Sequence, residues 1–230
     1  MPDPIIDDYT AEFAKEHHPP EWDGPPTRII VHRDNTPNRN ATLQGLVRYQ
    51  TDSGSGSYHY LVRDFKIGRL VDDNRQAWHA KASAVASAKA YPVRDPYGKQ
   101  RGDVRALGVC LVEQASRREA DLAESYPEFD GRLRIGWSAA TLETGLTLIK
   151  WLQGRYDIPT SRVFGHSEFD PQGRSFDPDK ICTPARLRAM LEGQDGESVI
   201  EPVRQQLRAS EAKLAEAVAE IREALRRLEE

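Results

Sequence analysis

One short segment, residues 165–168 (Gly-His-Ser-Glu), constrains this chain more than any other because it places a histidine where a buried strand ends. The segment 162–164 leads into it with apolar residues that are typical of a core strand. Downstream, the prolines and glycine of 171–178 exclude a helix and predict a rigid loop. That loop carries Asp177, eleven residues after His166. A histidine at a strand end and a carboxylate on a returning loop can converge on one point.

A second predicted strand also ends in a histidine. Residues 28–32 read Arg-Ile-Ile-Val-His. Zinc sites that activate water hold three protein ligands and leave a fourth position for the water. Two imidazoles and one carboxylate suit Zn²⁺, so His32, His166 and Asp177 are candidate ligands. The alternative is that all three are polar side chains satisfied at strand ends without a metal.

The remaining patterns predict an α/β domain, with a mixed central sheet flanked by helices. Residues 58–62 and 69–71 predict a β-hairpin, and the apolar run 106–112 predicts a central strand buried on both faces. Residues 81–104 predict a long surface loop. The charged stretch 114–137 predicts an irregular insertion or a lid.

Two helices follow the predicted sheet strands. Ser138 is the predicted N-cap of a helix that runs to about Tyr156. Thr183 and Pro184 begin another that ends near Glu192, since proline is permitted at the first helical position.

The chain is predicted to have four parts. They are a polar, proline-rich arm at 1–26, the main domain at 27–192, a linker at 193–197 and a helix at 198–230. In the last part, apolar residues recur every seven positions with smaller ones between them, which predicts a coiled coil of about four heptads and a homo-oligomer. The seven-residue series is Ile200, Leu207, Leu214, Ile221 and Leu228. The alternative is an amphipathic helix folded back onto the main domain.

The amino-acid composition limits the classes of partner and the cellular compartment that we expect for this chain. With 32 Lys and Arg against 36 Asp and Glu, the formal charge of −4 argues against nucleic acid. No apolar run approaches the roughly 20 residues of a membrane span, and the acidic start is unlike a signal peptide, so we expect cytoplasmic synthesis. Two cysteines, Cys110 and Cys182, make no disulfide framework and predict buried apolar positions.

Five sequence blocks, occurring in one order, carry a resemblance to a known family. They are Ile-Val-His at 30–32, Ser-Tyr-His-Tyr-Leu at 57–61, Ala-Trp-His-Ala at 77–80, Leu-Gly-Val at 107–109, and 165–168 with Asp-Pro at 177–178. Together they resemble the zinc-dependent N-acetylmuramoyl-L-alanine amidases of the phage-lysozyme and peptidoglycan-recognition-protein type, over residues 27–192. The resemblance implies cleavage of the amide between N-acetylmuramic acid and L-alanine of the stem peptide. It also implies one Zn²⁺ per chain, held by His32, His166 and Asp177.

The same resemblance suggests roles for further residues. Tyr58 matches the family's active-site tyrosine, whose phenol can hydrogen-bond the attacking water or the developing oxyanion; the alternative is an aromatic that only packs. Trp78 and His79 match a groove-lining segment, which implies that they bind substrate. His59 faces away from Tyr58 in a regular strand, so we expect it to be structural.

Two positions depart from the family pattern. Many relatives have a lysine two residues before the last ligand, where this chain has Ser175, and Arg174 could replace its charge by turning inward. Some relatives have a glutamate base on the central strand, where this chain has Cys110. Glu168 is then a reserve base, or a carboxylate that orients a ligand histidine.

The resemblance therefore predicts a peptidoglycan hydrolase. A phage endolysin that waits in the cytoplasm, a virion-borne lysin and a cytoplasmic cell-wall recycling amidase all fit the sequence. From another class, the alternative is a non-catalytic peptidoglycan-binding or virion assembly module oligomerised by its C-terminal helix.

Overall fold

The structure is a computed structural model. It describes residues 3–17, 21–33, 42–53, 57–80, 105–116, 124–127, 134–169, 177–178, 182–193 and Val218. The chain divides into two compact units, Met1–Gln194 and Asp195–Glu230. The predicted loop at 81–104 lies outside the described residues, and so does the predicted coiled coil at 198–230 apart from Val218, so both remain predictions.

The described residues form nine strands and four helices. The strands are β1 (Asp7–Asp8), β2 (Arg28–Arg33), β3 (Tyr60–Arg63), β4 (Lys66–Arg69), β5 (Ala106–Leu111), β6 (Gln114–Ser116), β7 (Glu124–Pro127), β8 (Arg134–Trp137) and β9 (Val163–Gly165). The helices are α1 (Thr10–His17), α2 (Leu43–Ser53), α3 (Ala139–Tyr156) and α4 (Pro184–Leu191). Short 3₁₀ turns follow at Thr160–Arg162 and His166–Glu168.

The main sheet is mixed, as predicted, with the strand order β1-β4-β3-β5-β2-β9. Strand β2 pairs in parallel with both β5 and β9, and β3 pairs in parallel with β5, whereas β3 and β4 form the predicted antiparallel hairpin. Every residue of β2 and β5 is buried, as their continuous apolar runs indicated. Because parallel neighbours point the same way, the C-terminal ends of β2, β5 and β9 lie at one edge of the sheet.

The two predicted helices begin at the predicted caps. Ser138 accepts a hydrogen bond from the Thr141 N–H at 3.0 Å, and α3 ends at Asp157 in a left-handed conformation. Thr183 accepts a hydrogen bond from the Arg186 N–H at 3.2 Å, which caps α4. Helix α3 packs against β3 and β5, and its buried residues include Leu142, Leu146, Ile149 and Leu152.

The N-terminal segment, predicted to be a polar arm, contains a short strand and a helix. Strand β1 pairs in parallel with β4 and extends the main sheet, and α1 packs on α2 through the fully buried Phe13. A two-residue strand and one apolar anchor among charged residues give too short a pattern for a sequence reading to detect.

Residues 114–137 were predicted to be irregular, but their described parts form a second sheet of order β6-β8-β7. Both strand pairs are antiparallel. The buried Trp137 at the end of β8 donates from Nε1 to the Leu111 carbonyl at 2.9 Å, which ties this sheet to β5. These strands are three or four residues long, which is too short to display the period-two alternation that identifies a strand.

No helix among the described residues is long and apolar enough to cross a bilayer.

Candidate metal centre and active site

The three predicted metal ligands meet at the C-terminal ends of two paired strands. The register of β2 against β9 places Val31 beside Gly165, so the next residues, His32 and His166, lie side by side, and their ring centroids are 4.5 Å apart. Asp177 joins them, and each of the three offers a ligand atom within 4.8 Å of the others. All three side chains are buried.

Both imidazoles face the same carboxylate oxygen. Asp177 Oδ2 lies 3.0 Å from His166 Nδ1 and 3.5 Å from His32 Nδ1. The other oxygen, Oδ1, accepts a hydrogen bond from the main-chain N–H of Arg33 at 2.7 Å. The Asp177 carbonyl accepts another from the Ser167 N–H at 2.8 Å. Main-chain donors next to each histidine therefore fix the position and orientation of the carboxylate.

Gly165 lets the loop approach the strand end. A Cβ at this position would lie 2.7 Å from Pro184 Cγ and 2.8 Å from Pro178 Cδ, which is closer than real contacts allow. The missing side chain thus leaves the space in which Pro178 packs, and this places Asp177 over the end of β9.

Burial alone would raise the pKa of Asp177, but its contacts with the imidazoles of His166 and His32 outweigh burial and hold the pKa well below its usual range. The side chain is therefore an anion at neutral pH. A buried carboxylate beside two imidazoles is a ligand set of the kind that binds a divalent metal.

The residues fit zinc in chemistry and in spacing. In a tetrahedral site with bonds of 2.0–2.1 Å, ligand atoms are about 3.4 Å apart. The two nitrogen–oxygen separations, 3.0 and 3.5 Å, lie on either side of that value.

Two further histidines lie behind this site, and the structure gives both a role inside the protein. His59 Nδ1 accepts from the Gly108 N–H at 3.0 Å, and its Nε2 donates to the Arg75 carbonyl at 2.9 Å. Complete burial lowers the pKa of His59 to about 4. The expectation that His59 is structural is confirmed.

His79 lies directly behind His32. Its Nδ1 is 2.9 Å from His32 Nε2, and its Nε2 donates to the Ala106 carbonyl at 2.9 Å. Burial, with smaller contributions from the neighbouring imidazoles, lowers the pKa of His79 well below its usual value. Both ring nitrogens are engaged inside the protein, which leaves neither for the substrate contact that the sequence suggested.

Tyr58 packs beside the ring of His32. The two ring centroids are 5.0 Å apart at an interplanar angle of 55°, and the half-buried tyrosine also packs on the core beneath α2. Trp78 lies next to this segment, because its N–H donates to Ser57 Oγ at 3.0 Å and its carbonyl accepts from the Ser57 N–H at 3.1 Å.

Glu168 contacts α4 and the strand end. Its Oε2 accepts from the Gly165 N–H at 2.9 Å, and both carboxylate oxygens pair with Arg188, at 3.0 and 3.2 Å. These contacts favour a structural role over a base or a carboxylate that orients a ligand histidine. Ser175 and Arg174 lie outside the described residues, so their predicted roles remain predictions.

The cysteines are buried, as predicted. Cys110 lies in β5 in register with His32, at the position where some relatives carry a glutamate, and belongs to the apolar cluster beneath α2. Sequence reasoning missed Arg33 and Glu113, whose buried side chains pair at 2.8 Å beside the site. The available signal was a pair of oppositely charged residues, Arg33 at the end of β2 and Glu113 two residues after the end of β5.

Comparisons with known proteins identify the family and the fold. The family model for N-acetylmuramoyl-L-alanine amidase matches residues 22–180. No curated protein matches the sequence.

Solved structures show the same fold. The catalytic domain of XlyA has 19% identity and a TM-score of 0.54, over 81% of this chain and 99% of that one. A mutant endolysin from Bacillus subtilis has 18% identity and a TM-score of 0.54, over 82% and 99%. An AmpD derivative has 16% identity and a TM-score of 0.50, over 81% and 92%. Since the family model covers more than half of the residues, this chain belongs to the N-acetylmuramoyl-L-alanine amidase family.

Proposed function

We propose that this protein is a zinc-dependent peptidoglycan amidase that hydrolyses the amide between N-acetylmuramic acid and L-alanine of the stem peptide. One observation carries the zinc dependence: in a chain of the amidase family, two strand-end imidazoles face one buried carboxylate oxygen. His32 and His166 would bind through Nδ1 and Asp177 through Oδ2. A zinc ion held there supplies Lewis-acid polarisation of a carbonyl and lowers the pKa of a water toward about 7.

The surrounding residues position the substrate and meet its developing charge. We infer that Tyr58, whose ring lies beside His32, donates a hydrogen bond to the carbonyl oxygen as it gains charge in the transition state. Trp78, held next to the Tyr58 segment, offers a flat apolar face to a sugar or peptide. Ser175 or Arg174 is proposed to take the position of the family's usual lysine.

The biological setting that we propose is a phage endolysin acting on the cell wall. The similarity to an endolysin from Bacillus subtilis supports this setting. The alternative, a peptidoglycan-binding module without catalysis, is less favoured because the complete ligand set is present in one place.

The test uses purified cell walls incubated with the protein, with and without a chelator. We expect turbidity to fall, the chelator to stop the fall, and added zinc to restore it. New amino termini released from the walls should be those of L-alanine, whereas the number of reducing sugar ends should not change. Intact walls in the presence of zinc would rule out the enzyme, and a different amino terminus would rule out the bond.

We also propose that residues 198–230 associate chains through their seven-residue repeat. Light scattering of the full-length protein should give the mass of an oligomer, and a chain truncated after residue 197 should give the mass of one chain. A monomeric mass for the full-length protein would contradict this proposal.

A further inference from the structure

The two ring nitrogens of His32 face different partners. Nδ1 faces Asp177 Oδ2 at 3.5 Å, in the candidate metal centre. Nε2 faces His79 Nδ1 at 2.9 Å, in the interior of the protein. A metal can bind Nδ1 only if that nitrogen carries no proton. The direction of the hydrogen bond at Nε2 therefore decides whether Nδ1 of the neutral ring can be a ligand.

The direction of that hydrogen bond follows from a main-chain carbonyl. The Ala106 oxygen can only accept, so His79 Nε2 at 2.9 Å from it carries a hydrogen. A neutral imidazole has one N–H, and His79 Nδ1 is therefore an acceptor. His32 Nε2 must then donate, so in the neutral ring the lone pair belongs to Nδ1, the nitrogen that faces the metal centre.

The ring of His79 is also held rigidly in place. It is 6% exposed, and it meets the His32 ring edge-on, with centroids 5.0 Å apart and an interplanar angle of 89°. A Cβ at Gly108 would lie 2.6 Å from both Cγ and Cδ2 of this ring, so the ring occupies the space that a side chain would take. The main chain of β5 therefore supplies both the surface on which His79 lies and, at Ala106, the acceptor that sets its tautomer.

We propose that His79 is a positioning residue, which fixes the tautomer and the ring orientation of His32 so that the unprotonated Nδ1 faces the metal. This inference rests on the proposed zinc function. It assigns to His79 a role through His32, in place of a contact with substrate.

Three variants separate the two hydrogen bonds of His79. In His79→Asn the amide oxygen replaces Nδ1 and can still accept from His32. In His79→Gln the longer side chain reaches Ala106 but presents no acceptor at the Nδ1 position. His79→Phe keeps the ring and removes both bonds. Loss of such an outer hydrogen bond typically weakens metal binding about 10- to 100-fold.

Zinc affinity is measured by competition with a chromogenic chelator, on full-length protein shown to be folded by circular dichroism. We expect the dissociation constant to rise about 10- to 100-fold for His79→Gln and His79→Phe, and to stay within about threefold of the wild type for His79→Asn. Equal affinities for the Asn and Gln variants would overturn the proposal, and this comparison holds even if the Phe variant fails to fold.

A second readout needs no metal. Nitrogen-15 NMR of the zinc-free protein at neutral pH reports which nitrogen of His32 carries the hydrogen, with the signal assigned by its loss in His32→Gln. We expect a single Nε2–H tautomer in the wild type and in His79→Asn, and a mixture in His79→Gln. An unchanged tautomer in His79→Gln would overturn the proposal. A wild type that binds no zinc but shows these tautomers would refute the zinc function and leave the hydrogen-bond direction intact.

Discussion

His32 and His166 look alike in the sequence, since each follows an apolar strand, but the structure supports them differently. His32 is backed by His79 and, through it, by the main chain of β5. His166 Nε2 is buried and has no hydrogen-bond partner among the described residues. His32 is thus held from within the sheet, whereas the ring of His166 contacts Asp177 through Nδ1. Equivalent positions at two strand ends can therefore be held to different extents, His32 through both ring nitrogens and His166 through Nδ1.

The largest effect is expected from replacing either of the two histidine ligands. His32→Ala and His166→Ala should each lose the bound zinc, because two remaining ligands hold the ion poorly, and wall hydrolysis should fall about 10³-fold or more, the equivalent of several kcal/mol of transition-state stabilisation. Zinc content by atomic absorption and turbidity assays measure both effects. A full zinc equivalent in either variant would remove that histidine from the ligand set.

A smaller effect is expected from Tyr58, whose ring contacts His32. Tyr58→Phe removes one hydroxyl next to this ring, and we expect kcat to fall about 10²-fold, the usual scale for a lost oxyanion donor, with zinc content unchanged. Steady-state kinetics on a soluble muramyl peptide test this. A variant with the kcat of the wild type would show that Tyr58 only packs.

A still smaller effect is expected from a substitution at Gly108, which displaces His79 and so acts on His32 without changing any polar side chain. Gly108→Ala forces a Cβ into the His79 ring, so we expect about 1–3 kcal/mol lower stability and a zinc dissociation constant about tenfold higher. The matched control is Gly154→Ala, an exposed position of α3 where a Cβ meets nothing within 4 Å. Denaturant titration should show that this control is up to about 1 kcal/mol more stable than the wild type. Equal zinc affinity in the two variants would mean that the placement of His79 does not matter.

The smallest expected effect concerns His59, whose pKa of about 4 lies below the usual value near 6.5. Since the unfolded chain binds this proton and the folded protein does not, stability is lost as the pH falls from 6.5 toward 4, by about 1 kcal/mol between pH 6 and pH 5. Unfolding in the presence of chelator measures the slope. His59→Gln, which can still donate to the Arg75 carbonyl, should have a shallower slope, and parallel slopes would contradict the pKa.

Much of this arrangement could be predicted because it follows from local pattern. The run ending in His32, the buried run of β5 and the cap at Ser138 each indicate their element directly. Asp177 was found by combining a loop with a known family's spacing.

The rest depends on contacts between distant parts of the chain. His79 and His32 are 47 residues apart, and the tautomer that links them is set by a carbonyl of Ala106, which has no side-chain signature. The second sheet and α1 were missed because their short segments carry too few apolar residues to form a period.

Arg33 makes two contacts of different kinds: its guanidinium forms an ion pair with Glu113, and its main-chain N–H donates a hydrogen bond to Asp177. The second contact belongs to the backbone, so nineteen of the twenty amino acids can supply it. In a saturation library at this position, most substitutions would remove the ion pair with Glu113 and keep the main-chain hydrogen bond to Asp177. Proline alone has no N–H and would remove that hydrogen bond. Alanine scanning would therefore overlook the contact that sets the direction of the third ligand.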